Sequence, residues 1–236
     1  IHVIHAKERC KEYGLEPTAV PIFSRCLSSD ALAKKIENYS EILENVKFFI
    51  NKFLFSVEGT PILVVVTDDK GHILRFEGDS TILDAVKLGI KEGVRYIEKD
   101  IGVTAVSLAL RHDQPIQLIG EDHYCQVFRE TACFSVPFRY KGNKKPLGTI
   151  LFLTYIPYAN SLLLILLHTI VDSIERELLV QEKKEAFDFE SGTASDKLSG
   201  VIVTDAKGDI LVCNENGKQI LNRLLQSQPF IKILNL

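Results

Sequence analysis

The chain lacks several signals that mark common classes of protein. Its five cysteines are scattered without a Cys-x-x-Cys pair, so the sequence indicates neither a zinc ribbon nor a disulfide framework. The patterns Gly-x-x-x-x-Gly-Lys, Gly-x-Ser-x-Gly, His-Glu-x-x-His and Gly-x-Gly-x-x-Gly are all absent, which removes the phosphate-cradling and hydrolase signatures. A formal net charge of -3 argues against a broad nucleic-acid-binding surface, because such a surface needs an excess of Lys and Arg.

Long apolar runs and terminal signals are missing as well. No stretch supplies the roughly 20 consecutive apolar residues that span a bilayer. The first residues lack the apolar core and cleavage site of a secretory signal. The scattered cysteines are typical of a protein in a reducing compartment. Together with the missing membrane span and secretory signal, they predict a cytoplasmic protein without a membrane partner. The chain has no methionine, does not begin with one and stops abruptly at Leu236, so we expect a fragment cut from a longer protein.

The stretch from residue 100 to residue 154 is the most informative part of the sequence. Gly102–Ala105 indicates a helix start, and a short strand is predicted at Pro115–Ile119. Two later apolar runs, Cys133–Tyr140 and Leu147–Thr154, are joined by a turn rich in Lys, Gly and Asn. We predict that they form a hairpin, with a natural pocket over one face of the sheet.

The preceding half of the chain predicts helices around a second hairpin. From an N-cap at Ser29 or Asp30, apolar residues recur at three- and four-residue steps as far as Phe53, which predicts one long amphipathic helix. Pro61–Thr67 and His72–Phe76 flank a tight Asp-Asp-Lys-Gly turn. A further helix is predicted at Ile82–Ile90. The fold class that follows is α+β, with a mostly antiparallel sheet of about five or six strands.

The remainder predicts a second long helix and the start of another unit. Asn160–Phe187 is apolar at its beginning and charged at its end, as in helices that pair in dimers. The segment 188–196 is polar and rich in small residues, which is typical of a linker. Residues 200–213 then repeat the hairpin pattern. We therefore divide the chain into an N-terminal helical segment (1–27), a main domain (28–187), a linker (188–196) and a partial domain (197–236).

The most reactive side chains lie together at Glu121–Cys125. His, Cys, Asp and Glu can ligate a transition metal, and a His with a carboxylate can act as acid and base. Adjacent residues of an extended segment point to opposite faces, however, so only alternate members can converge. A structural role for His123 is favoured over a metal site, and for Cys133 we expect burial as a small apolar residue.

Several short motifs resemble one known family. Arg9-Cys10 and Tyr13–Pro17 resemble the start of the sensor region of sigma-54-dependent transcriptional activators of the acetoin-catabolism regulator type. The later motifs follow in the order seen in the GAF domain of that group: Asp68-x-x-Gly71, Gly78-Asp79, Gly102-x-Thr104-Ala105, Ala109-Leu110 and Gly120–Tyr124. The resemblance covers about residues 1–180, and Gly200–Leu225 is similar to the first hairpin and helix of a PAS domain.

The resemblance implies a GAF-like sheet flanked by helices, followed by the start of a PAS-like unit. It implies a small-molecule sensor rather than an enzyme, without catalytic or metal-binding residues. The effector is expected between the sheet and the crossing segment at 102–133. The expected lining residues are Thr104, His123, Tyr124, Cys125 and Cys133.

The expected partners are a second copy of the chain, through the helix at 160–187, and a downstream ATPase acting on sigma-54 polymerase. Neither that ATPase nor a DNA-binding module lies in this sequence. Three alternatives stay open: the sensor region of a kinase or cyclase, a small redox or metal enzyme that uses His123 and Cys125, and a purely structural role in which the GAF-like unit only dimerises.

Overall fold

Five antiparallel strands form the central sheet, in the order β2-β1-β5-β4-β3. The computed structural model describes residues 2–21, 23, 25–79, 90–140, 144–193, 202–205, 210–213 and 217–222. The strands of this sheet are β1 (Ile62–Asp68), β2 (Ile73–Gly78), β3 (Ile116–Ile119), β4 (Thr131–Phe138) and β5 (Gly148–Tyr155). The helices are α1 (His2–Glu12), α2 (Ser29–Asn38), α3 (Ser40–Ser56), α4 (Glu98–Ile101), α5 (Ala105–His112) and α6 (Leu162–Thr193).

The architecture is α+β, as the sequence predicts. Both hairpins form: β1 pairs with β2 and β4 pairs with β5, each antiparallel. Strand β1 is buried along all seven residues, which explains why its sequence is a continuous apolar run rather than an alternating one. Short 3-10 helices at Gly120–Asp122 and Gln126–Phe128 carry the chain from β3 to β4.

The two faces of the sheet support two separate apolar layers. On one face, odd-numbered residues such as Leu63, Val65 and Leu151 pack with residues of α1 and α5. On the other face, even-numbered residues such as Val64 and Phe152 pack with α3 and with the first half of α6. We call these the α5 face and the α6 face. Side chains alternate along a strand, so each strand contributes to both layers.

The sequence predicts one helix from Ser29 to Phe53, and this prediction is wrong in one respect, because the structure has two helices there, α2 and α3. The chain turns at Tyr39, whose φ and ψ are -104° and 7°. The Tyr39 hydroxyl donates to the Leu147 carbonyl, at 2.8 Å, just before β5, which ties the break to the sheet. The N-cap is Ser28 rather than Ser29 or Asp30, since the Ser28 hydroxyl accepts from Ala31 N at 3.3 Å.

The second long helix is longer than predicted. Helix α6 continues to Thr193 and so includes residues 188–193 of the segment expected to be an irregular linker. The chain divides into compact units at Leu178/Leu179, within this helix. In the second unit, β6 (Ile202–Thr204) and β7 (Ile210–Cys213) form the antiparallel hairpin expected after residue 200. The helix predicted at 82–90 lies, except for Ile90, outside the described residues. Among the helices described, none is long and apolar enough to cross a membrane.

Candidate ligand cavity

A small cavity lies in the α5 face of the sheet. Its volume is about 10 Å³, close to the least space that one water molecule needs. The lining is apolar, with one tyrosine, and it carries no charged side chain among the described residues. The lining residues are Leu63, Val65, Ile73, Phe76, Ile90, Tyr96, Leu151 and Leu153.

The register of the strands brings the lining residues side by side. Val65 pairs with Leu151, and Leu63 pairs with Leu153. On the outer side, Phe76 pairs with Val65. Because residues two apart on a strand share a face, these side chains form one apolar surface beneath the segment that carries Tyr96.

The turn between β1 and β2 holds the Tyr96 segment against the sheet. Tyr96 N donates to the Gly71 carbonyl at 2.7 Å. Gly71 has a φ of +77°, and a Cβ there would collide with the Ile97 side chain, so this position needs glycine. The turn itself is closed by Asp68, whose carboxylate accepts from the backbone N of Lys70 and of His72 at 2.9 and 2.8 Å.

Asp68 is a fully buried carboxylate with several donors. Burial favours its neutral form, but Lys35, the His72 backbone and the His72 ring hold the pKa of Asp68 below its ordinary value. Lys35 also joins α2 to the turn. The Asp68-x-x-Gly71 motif is therefore a structural support of the cavity wall.

Salt bridges anchor the other side of the same segment. Glu98 is 4% exposed at its side chain and accepts two hydrogen bonds of 2.7 Å from Arg9 of α1. Arg95 forms a two-pronged bond to Asp100 at 2.6 and 3.1 Å. Bidentate arginine–carboxylate pairs fix geometry as well as charge. They hold α1 and α4 in place beside the cavity.

Thr104 lies next to the Tyr96 segment but does not line the cavity. It is the N-cap of α5, and its hydroxyl accepts from Ser107 N at 3.0 Å. The same oxygen lies 3.3 Å from the Tyr96 carbonyl. The predicted helix start at Gly102–Ala105 is thus correct. Thr104 stabilises that start and the backbone of Tyr96.

The predicted site residues His123, Tyr124 and Cys125 point to different partners. The His123 ring donates from Nδ1 to the Gly120 carbonyl at 3.1 Å, and burial lowers the pKa of His123. Tyr124 donates its hydroxyl to the Leu15 carbonyl at 2.6 Å, and Cys125 donates to the Ile101 carbonyl at 3.3 Å. Glu121, by contrast, has an 80% exposed side chain. Within the described part of the chain, no group of three or more His, Cys, Asp or Glu side chains could hold a metal ion.

Cys133 lies beside a residue of the cavity lining but does not line the cavity itself. It is buried and pairs with the cavity residue Leu153 across β4 and β5. Burial, followed by interaction with the thiols of Cys133 and Cys125, raises the pKa of Tyr96 well above its ordinary value. Tyr96, which lines the cavity, and the two cysteines belong to the same apolar layer.

The buried thiols are poor nucleophiles. Burial raises the pKa of Cys133 to about 12 and that of Cys125 to about 11. Thiols of this kind are protonated at neutral pH, and only the thiolate attacks or binds metal. The chemistry of a redox or metal enzyme at His123 and Cys125 is therefore not favoured by this geometry.

Sequence reasoning missed the eight residues that line the cavity. Apolar residues on strands carry no chemical signal of their own. The alternation of β1 and β5 divides them between two faces, but it does not tell which face keeps an internal space. Whether Thr104, His123, Tyr124, Cys125 or Cys133 contacts an effector stays a prediction.

Comparison with known proteins points to the control of transcription. A signal-transduction and transcriptional-control protein of Clostridium beijerinckii is 24% identical over 221 residues, covering 91% of this chain and 34% of that protein. The acetoin dehydrogenase operon transcriptional activator AcoR of Bacillus subtilis is 22% identical over 134 residues, covering 56% of this chain and 22% of AcoR. The chain is similar to regulators of transcription. It spans about a third or less of the length of these relatives, and no family model matches it.

One solved structure shows the same fold. A chain of the crystal structure of the E. coli DhaR(N)–DhaL complex superposes with a TM-score of 0.73 at 19% identity. The match covers 94% of this chain and 76% of that chain. At this identity the likeness establishes the architecture.

Proposed function

We propose that this chain is the small-molecule-sensing regulatory region of a bacterial sigma-54-dependent transcriptional activator. In this proposal residues 28–187 form a GAF-like sensor domain, and residues 197–236 begin a PAS-like unit. The protein is cytoplasmic and not an enzyme. The observation that carries the proposal is the apolar cavity on the α5 face, in a chain whose relatives control transcription.

The chemistry of the cavity favours binding over catalysis. Its lining contains neither a charged residue nor a thiolate, and the nearest cysteines are protonated at neutral pH. Small-molecule sites usually have volumes of about 300–1,000 Å³, whereas this cavity has about 10 Å³. In this proposal an effector enters by widening the cavity.

The sheet connects the cavity with α6. On β5, Leu151 and Leu153 line the cavity, while Ile150 and Phe152 pack in the layer that contains Leu167, Val171 and Ile174 of α6. The Arg139 backbone N also donates to the Glu175 carboxylate of α6 at 2.6 Å. An effector that moves β5 changes the packing of α6, and it shifts the population between two arrangements of that helix.

Helix α6 also supplies the proposed dimer contact. Three of its apolar side chains, Leu162, Ile165 and Leu166, are between 44% and 61% exposed. Side chains spaced in this way match the seam of a paired helix. A homodimer through this face would bring two copies of α6 together, and a downstream ATPase would respond to their rearrangement.

Titration of the whole chain with small uncharged molecules tests the proposal. Relatives include an activator named for an acetoin dehydrogenase operon, so alcohols and ketones of three to six carbons are suitable probes. We expect saturable binding that Val65→Phe abolishes, because the larger side chain fills the cavity. Phe48→Ala, at a side chain 56% exposed on α3, should leave binding unchanged. Binding that survives Val65→Phe would contradict the proposed site.

A further inference from the structure

A wide cleft with a basic lining lies beside the segment that carries Tyr96. Its volume is about 490 Å³, which falls within the range of about 300–1,000 Å³ that is usual for small-molecule sites. The turn between β1 and β2, helix α4 and helix α5 all contribute to its walls. We call it the basic cleft, after the four cationic residues of its lining, Lys70, Arg95, Lys99 and Arg111.

The basic cleft is separate from the apolar cavity. Arg95 and Ile97 line the cleft, whereas Tyr96 between them lines the cavity. Side chains alternate in this way along an extended backbone, and Ile97 has φ and ψ of -125° and 161°. Among the residues that the structure describes, the two linings have none in common. One short segment therefore forms a wall of both spaces.

The carboxylates of the cleft already have cationic partners. Glu98 accepts two hydrogen bonds of 2.7 Å from Arg9, which does not line the cleft. Asp69 lies 3.8 Å from the Nζ atom of Lys35, which is also outside the lining. The negative charges of the lining are thus balanced from outside the cleft.

Three of the four cations have no carboxylate of their own. Lys70 and Lys99 form no ion pair within the part of the chain that the structure describes. Arg111 lies 3.7 Å from a Glu98 oxygen, beyond hydrogen-bonding distance, and Arg9 already binds that oxygen. The whole chain carries a formal net charge of -3, so a general excess of cations does not explain this cluster. Like charges that share a cleft repel, and a bound anion removes the repulsion.

The lining suits a phosphate group on a carbon skeleton. A guanidinium such as that of Arg111 can bind two phosphate oxygens at once, and ammonium groups add point charges. Ile97 and Leu110 supply an apolar surface in the same cleft. The ring of Tyr13, which is 40% exposed, lines it as well.

We propose that the basic cleft binds a small organic phosphate ester. Lys70, Lys99 and Arg111 bind the phosphate, and the carbon skeleton rests against Ile97 and Leu110. The bound anion links the β1–β2 turn, α4 and α5, which surround the segment that forms the cavity wall. This inference stands without the proposed function, because the cleft and the cavity have separate linings.

The test is calorimetric titration of the whole protein with phenyl phosphate and phenyl sulfate. At about pH 7.5 the phosphate ester carries nearly two negative charges, since its second pKa is about 6. Phenyl sulfate has nearly the same shape and a single charge. We expect saturable binding of phenyl phosphate and an affinity for phenyl sulfate that is about 5- to 20-fold lower, as one missing charge near the surface implies.

Single substitutions locate the site. Arg111→Gln and Lys99→Gln should each weaken phenyl phosphate binding about 10-fold, which is the effect of losing one charge-assisted hydrogen bond. Arg111→Gln should fold, because Glu98 keeps its two hydrogen bonds from Arg9. The matched control is Arg176→Gln, at an exposed residue of α6, which removes the same charge outside the cleft and should leave the affinity unchanged.

The outcomes separate this inference from the proposed function. No saturable binding of phenyl phosphate overturns the inference, whatever the apolar cavity binds. Equal affinity for phenyl sulfate overturns the ligand class, and equal losses in Arg111→Gln and Arg176→Gln overturn the location. Val65→Phe, which fills the cavity, should leave phenyl phosphate binding intact. Loss of that binding in Val65→Phe would show that the two spaces are not separate sites.

Discussion

Adding one methylene group to neighbouring residues of β1 should have opposite effects on the two faces of the sheet. Val65 lines the cavity, whereas Val64 is buried in the layer that packs against α3 and α6. In Val65→Ile the extra group enters a space of about 10 Å³ and gains up to about 0.8 kcal/mol of burial. In Val64→Ile it enters a filled layer, and overpacking costs about 1–3 kcal/mol.

The difference between the two variants is therefore about 2–4 kcal/mol in the free energy of unfolding. For a chain of this size it corresponds to about 4–16 °C in the midpoint of thermal unfolding. Urea unfolding followed by circular dichroism measures the free energies, with wild type and both variants under one condition. Equal destabilisation by the two substitutions would show that the α5 face is as tightly packed as the α6 face. The reasoning from the cavity would then be wrong.

Three other predictions follow from the groups around the cavity. Glu98→Ala should lower the free energy of unfolding by about 2–3 kcal/mol, because it leaves a partly buried arginine without its carboxylate. Glu121→Ala, at an exposed salt bridge, should change it by less than about 0.5 kcal/mol, and equal losses would refute the anchoring role of Glu98. The pKa of Asp68 is lowered in the folded protein, so its stabilising contribution is present above about pH 4 and is lost as the pH falls further. Urea unfolding between neutral pH and pH 3 should show that loss in the wild type and a flatter profile in Asp68→Asn, and identical profiles would contradict it. Iodoacetamide at neutral pH should modify the exposed Cys26 in the native protein, while Cys125 should react only in denaturant. Peptide mass spectrometry measures this, and native labelling of Cys125 would contradict its burial.

The strands and hairpins could be predicted from the sequence because their signals are local. The Asp-Asp-Lys-Gly turn and the apolar runs beside it define β1 and β2. Thr104 with Ala105 marks the start of α5. The break at Tyr39 could not be predicted, since it depends on a hydrogen bond to Leu147, which is 108 residues away.

The site was harder to predict because its residues are chemically plain. His123 and Tyr124 were predicted to line the site because their side chains are reactive or polar. In the structure both side chains donate hydrogen bonds to backbone carbonyls. The cavity is formed by aliphatic side chains with Phe76 and Tyr96, which resemble any other core residues in the sequence.

A methyl NMR titration of the whole protein with pentan-2-one tests directly whether the cavity binds a small molecule. We expect the methyl signals of Leu63, Val65, Leu151 and Leu153 to shift and saturate together. Those of Val64 and Val66, on the same strand but on the α6 face, should move much less. Shifts that are largest on the α6 face, or confined to exposed methyl groups such as Leu162, would show that the cavity is not the binding site.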